Sequence, residues 1–219
     1  MQITPAIFPL SFQEIEEKIE KIYTIAPRVQ IDICDGIMGK IKTWMPEGGE
    51  TLPHGASVEY EIDCMVSNWR DILPKIFTFN PSRIIMHIDY FTEDDCKELA
   101  EKCKAIQIEL GLCVSNDVAV THFDELIRAV RGVYDRIFIQ VMGIAEIGQQ
   151  GAFFDDSCLL RILHSKKTFG DIEVQVDGGM RPETVPKVHA VGAVGAVVGS
   201  FIFGGENVGQ SYSELAQIE

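Results

Sequence analysis

The chain has 219 residues, of which 33 are acidic and 19 basic, for a formal net charge of −14, and 46% of it is apolar. Such a length and apolar share belong to a packed fold of one large or two small domains and exclude a disordered chain. No cluster concentrates the basic residues, which excludes nucleic acid and an anionic membrane surface as partners. The longest uncharged apolar run, residues 190–205, is glycine-rich and shorter than the roughly 20 residues that a bilayer span requires.

From the amino terminus, short β-rich apolar runs alternate with stretches of helical period. The first strand is expected over Gln2–Phe8, and its opening reads as strand rather than as a charged-then-apolar leader. A helix over Phe12–Ile25 follows, with Ser11 as N-cap and Ile15, Ile19 and Ile22 on one face. The strand Arg28–Cys34 leads into a Gly/Pro-rich connection, Gly36–Ala56, expected to hold no more than a turn of helix. The alternation continues with strand Ser57–Cys64, helix Asn68–Phe79, strand Arg83–Asp89, helix Glu93–Ala105, strand Gln107–Val114, helix Phe123–Val130, strand Arg136–Met142 and helix Asp155–Lys167. Strand Ile172–Val176, helix Pro182–Ala190 with Pro182 in its first turn, strand Gly195–Val198 and helix Glu206–Gln217 complete it.

Eight β/α repeats without a linker predict that residues 1–219 form one α/β domain, a (β/α)8 barrel. The alternative is an open doubly wound sheet, which would gather its polar groups at one switch point. Here Asp32, Asp63, Asp89, Asp177 and His87 are spread over the carboxyl ends of several strands, as a barrel mouth requires. Six scattered cysteines with no Cys-x-x-Cys pair are expected to be reduced thiols in a cytoplasmic protein.

Four elements could carry chemistry. In Gln30-Ile31-Asp32-Ile33-Cys34, strand alternation puts Gln30, Asp32 and Cys34 on one face and turns a carboxylate toward the mouth. A lone Asp there also serves as a strand-end cap or ion-pair partner, and a satisfied core or rim histidine is the expected role of His87. In Val176-Asp177-Gly178-Gly179-Met180-Arg181-Pro182 a strand ends on a carboxylate and passes through two glycines toward a helix. In Val198-Gly199-Ser200-Phe201 a strand again runs into a small-residue turn. Glycines there let backbone N–H groups approach an anion, and loops seven and eight are where barrels commonly hold phosphate, although tight turns alone would use the same residues. The glycine-rich connection 142–154 could close over a ligand and bring Gly148 and Gln149 to the phosphate.

At these residues the chain resembles the ribulose-phosphate 3-epimerase family. Thr4-Pro5-Ala6-Ile7-Phe8 is similar to that family's A-P-S-I-L, Gln30–Gly36 to its H-V-D-V-M-D-G, and Asp63-Cys64-Met65-Val66 to the tail of its D-x-H-x-M-V. His87-Ile88-Asp89 is similar to its H-x-E, Val174–Gly179 to its I-x-V-D-G-G, and Gly199–Phe203 to its G-S-A-I-F. The resemblance implies a phosphorylated small sugar as substrate and inversion at C3 of a pentulose 5-phosphate. It also implies that Asp32 and Asp177 act as opposed acid and base. It assigns phosphate to Gly148, Gly178, Gly179, Gly199 and Ser200, and a divalent cation to positions 30, 32, 63 and 177. The chain departs from the pattern where the metal histidines stand, with Gln30 and Asp63 in their place, and also at Ala6, at Cys34 and in loop six.

Two outcomes stay open. Gln30, Asp32, Asp63 and Asp177 could form an all-oxygen metal site, which would favour Mg2+ or Mn2+ over zinc. Otherwise no metal binds, and a carboxylate is protonated or paired with Lys40 or Lys42, because three carboxylates in one cavity raise each other's pKa. A lyase or decarboxylase on the same barrel is a second enzymatic reading, weakened by the absence of D-x-K-x-x-D, and a non-catalytic sugar-phosphate binder is a third. Assembly into a homo-oligomer is compatible with the sequence and is not specified by it.

Overall fold

The computed structural model describes residues 1–39, 41–55, 57–145, 147–148 and 151–218. Eight parallel strands, β1 (Gln2–Ile7), β2 (Arg28–Cys34), β3 (Glu59–Met65), β4 (Arg83–His87), β5 (Glu109–Val114), β6 (Ile137–Met142), β7 (Val174–Asp177) and β8 (Gly195–Val198), pair in sequence order, and β8 closes back on β1. The helices are α1 (Phe12–Glu20), α2 (Trp69–Phe77), α3 (Glu93–Ile106), α4 (Val120–Arg131), α5 (Cys158–Phe169), α6 (Val185–Ala190), α7 (Ser200–Phe203) and α8 (Val208–Ala216). The chain is thus the expected (β/α)8 barrel. Closure leaves no sheet edge, which removes the open-sheet alternative.

Several boundaries shift for local reasons. Ser11 caps α1, its hydroxyl accepting from the Glu14 N–H at 3.2 Å. The helix stops at Glu20, short of Ile25, because β-branched Ile22, Thr24 and Ile25 ahead of Pro27 favour turns over another helical turn. α6 begins at Val185 rather than Pro182, and Pro186 occupies its first turn, so Pro182 lies in the preceding turn. α7 is an addition, since four residues are too few to show a helical period. β2 runs through a connection without helix among its described residues, held by one antiparallel bridge between Asp35 and Lys42.

The main apolar core lies between the strands and the helices, and a separate small cluster of Ile85, Cys113, Phe138, Met142 and Ile144 fills part of the bore. Phe138 enters the bore where Gly111 on the neighbouring strand leaves room, since a Cβ at Gly111 would stand 2.5 Å from the Phe138 ring. On that ring rests the guanidinium of Arg83, 4.5 Å from the centroid, which also pairs with Glu109 at 2.6 Å and Glu173 at 2.8 Å. All six cysteines are buried and unpaired, as expected of reduced thiols. Among the described residues no helix is long and apolar enough to cross a membrane.

Candidate active site

Strand alternation and barrel closure bring the carboxylates together. Asp32 and Asp63 are register partners on β2 and β3, and Asp177 ends β7. One oxygen of each lies within 4.8 Å of the others. Asp63 is fully buried, Asp32 nearly so, and Asp177 half-buried on the wall of a cavity that Asp32 also lines.

Each carboxylate has one oxygen tied to a glutamine amide. Gln30 Nε2 donates to Asp32 Oδ1 at 2.7 Å and to Asp177 Oδ2 at 3.1 Å. Gln140 Nε2 donates to Asp63 Oδ2 at 3.0 Å, and Gln175 Nε2 donates to Gln140 Oε1 at 2.7 Å and to Glu61 Oε1 at 3.3 Å. His87 sits inside the bore with Nε2 3.2 Å from Asp63 Oδ1, near enough for an ion pair but out of line for a hydrogen bond, and its Nδ1 has no partner. It belongs to the carboxylate cluster and is not the satisfied core histidine that was expected. Gln140, Gln175 and Glu61 escaped the sequence reading altogether. Their signal was there: each is a polar residue on the inward face of a buried strand, and in β6 Gln140 is the one polar residue.

The electrostatics follow from burial and crowding. Burial, then the charges of Asp177 and Asp63, hold Asp32 well above the ordinary carboxylate range. Burial and Asp63 push Asp177 up to about 7, against the hydrogen bond from Gln30. Burial opposes the charged form of His87, whereas Cys113 and Asp63 beside it favour that form, and the balance lies above the usual histidine value. Asp32 and Asp177 are thus both displaced toward the protonated form.

The rest of the cavity wall is rich in glycine. Gly148, Gly178, Gly179, Gly199 and Ser200 all line it, with Met65, Met142 and Met180 beside them. Gly178 and Gly179 adopt φ of +95° and +68°, and among the described residues their N–H groups donate to no acceptor. Ser200 opens α7, so its N–H has no partner within the helix. Unpartnered amides of this kind are suited to receive an anion. No lysine or arginine is among the described residues of the cavity wall. Asp89 is outside it and braces a turn, its Oδ1 accepting from the N–H and hydroxyl of Ser115. Lys42 is exposed, and Lys40 and Gln149 lie outside the described residues.

The donor set suits a hard divalent cation. Three carboxylates converge, each with one oxygen uncommitted to a glutamine, and Asp63 Oδ1 is buried without a hydrogen-bond donor. Gln30, as placed, offers its nitrogen rather than its oxygen to the carboxylates.

The profile of the ribulose-phosphate 3 epimerase family matches residues 2–203. The cytoplasmic isoform of ribulose-phosphate 3-epimerase from Oryza sativa subsp. japonica is 24% identical over 215 residues, covering 98% of this chain and 92% of that one. Ribulose-phosphate 3-epimerase from Chlamydia pneumoniae is 24% identical over 183 residues, covering 80% and 75%. The barrel superposes on 3-hexulose-6-phosphate synthase from Salmonella typhimurium with a TM-score of 0.72 at 14% identity, over 100% of this chain and 98% of that one, a likeness of fold alone. With the profile spanning nearly the whole chain, the chain belongs to the ribulose-phosphate 3 epimerase family.

Proposed function

We propose that this barrel inverts the configuration at C3 of a pentulose 5-phosphate by two-base proton transfer between Asp32 and Asp177. The observation that carries the reading is that these carboxylates, from β2 and β7, line one cavity and share one amide donor, facing an anion cradle. The phosphate is held by the backbone amides of Gly178, Gly179, Gly199 and Ser200, with Gly148 on the loop that covers it. That anchorage leaves the sugar carbons toward the carboxylates.

A two-base inversion needs one ionised and one protonated group on opposite faces of the carbon. Because both carboxylates are displaced toward the protonated form, the pair keeps a proton near neutral pH while the other member stays available as a base. The base removes the C3 proton, electrons pass toward the C2 oxygen, and the acid returns a proton to the opposite face. Asp32 and Asp177 then hold exchanged protonation states. A divalent cation held by Asp32, Asp63 and Asp177 would supply positive charge against substrate oxygens as they gain negative charge. Asp63, anchored by Gln140 and backed by His87, is placed to hold that cation rather than to move protons. A lyase or decarboxylase of the same barrel would place a lysine beside the aspartates, and the described wall has none.

The test is incubation with ribulose 5-phosphate in D2O, with and without Mg2+, Mn2+ or Zn2+, following the C3 proton by NMR. Exchange is expected, and it should vanish in Asp32→Asn and Asp177→Asn. No exchange under any metal would remove the epimerase reading.

A further inference from the structure

Gln30 stands where the family pattern places a metal histidine, yet the structure gives it a different task. Its side chain is fully buried on the inward face of β2, two residues before Asp32. Both hydrogens of its amide nitrogen are used, one on each carboxylate of the acid–base pair. The orientation of this amide is decided by its surroundings. Turning it over would lose both donors and leave Oε1 facing two carboxyl groups, of which only the protonated one could donate to it. In the orientation found, Oε1 is buried without any partner. A side chain present only to fill the bore would avoid that cost, since leucine or methionine occupies a similar volume with no polar atom to strand.

Resting on the two-base reading above, we infer that Gln30 is a positioning residue: it clamps Asp32 and Asp177 at a fixed mutual geometry that does not depend on which of them carries the proton. A carboxylate and the carbonyl oxygen of a carboxylic acid both accept from N–H, so the two bonds survive the exchange of protonation states that each inversion produces. One amide nitrogen can serve both groups, whereas an imidazole offers one N–H on each of two diverging edges. Asp63 stands outside the clamp, because its glutamine is Gln140. Misplacing either member of the pair by an ångström is expected to slow the chemistry on the order of 10²-fold.

The experiment uses the full chain with 15N-labelled glutamine side chains and a parallel kinetic assay. Both side-chain N–H protons of Gln30 should resonate downfield of a free glutamine amide and exchange slowly. Asp32→Asn should displace one of them and Asp177→Asn the other, and Asp63→Asn neither. Gln30→Met, with Gln30→Leu as the second variant should Met fail to fold, is expected to lower kcat about 10²-fold with KM within about threefold, because the phosphate cradle is untouched. Gln140→Met should leave the Gln30 resonances in place. Free-amide resonances for Gln30 in the wild type, or wild-type kcat in a folded Gln30→Met, would overturn the clamp. If the wild type exchanges no C3 proton, the epimerase reading fails while the NMR comparison still decides whether the clamp exists.

Discussion

Gly179→Ala tests the proposed anion cradle and its dependence on backbone that only glycine can provide. Gly179 has φ of +68°, and an added Cβ would lie 2.7 Å from the Cα and 3.0 Å from the N of Phe154. Those are backbone atoms, so no side-chain rotation relieves the contact. The left-handed backbone costs alanine roughly 1–2 kcal/mol, and overpacking against a neighbour typically about 1–3 kcal/mol, for a loss of about 2–5 kcal/mol. In a domain of this size each kcal/mol lowers Tm by roughly 2–4 °C, so a fall of roughly 4–20 °C is expected. Any relief must come from moving the 178–179 turn or the Phe154 segment, which pulls amides away from the anion. The assay is thermal denaturation with and without ribulose 5-phosphate. A ligand at 100 times its Kd stabilises the wild type by about 2.7 kcal/mol, a rise of roughly 5–11 °C. That rise should be lost in Gly179→Ala. Gly151→Ala is the control for stability without ligand: it also lines the cavity and shares a positive φ of +71°, but among the described residues nothing lies within 4 Å of the added Cβ, so it should incur the backbone cost alone. A Gly179→Ala protein as stable as Gly151→Ala, with the ligand-induced rise intact, would refute the reasoning.

The carboxylate site should also leave a pH signature and a metal signature. Asp177 has its folded pKa raised from 3.8 to about 7, so the folded state binds more protons than the unfolded chain between those values and stability is lost as pH rises through that window. Glu61, raised by burial to about 7, acts in the same direction. Asp177→Asn is therefore expected to melt above the wild type at pH 7.5 and to lose that advantage near pH 4, and a constant difference across Tm scans from pH 4 to 8 would contradict the assignment. Mg2+ or Mn2+ should raise the Tm of the wild type at pH 7.5 more than that of Asp63→Asn, and EDTA should reverse the rise. Equal shifts in both proteins would place any bound ion elsewhere.

Much of the barrel was legible because its signals are local. Apolar runs of strand length, Ser11 ahead of a helical period, and Gly178-Gly179 after a strand each specify backbone conformation from neighbouring residues alone. The limits of α1 and α6 and the existence of α7 were less legible, since a helix end depends on turn and proline chemistry that competes with period over only a few residues. At the site, Asp32 and Asp177 and the cavity-lining Gly148, Gly178, Gly179, Gly199 and Ser200 could be placed at strand ends or in loops from sequence pattern and family resemblance. Their convergence on one cavity required the closed sheet.

The chain's own order determined the eight repeats, the inward face of each strand, and the residue types offered to the mouth, because strand alternation and turn chemistry act over two to four residues. Which inward residues meet was decided by tertiary structure. Gln30 reaches Asp177 across 147 residues and Gln140 reaches Asp63 across 77, contacts created when the sheet closes and its register brings distant strands to the same height. The role of Gln30 turned on that closure. As a sequence position it stood for a metal ligand, and within the barrel its nitrogen lies between the carboxylates of Asp32 and Asp177.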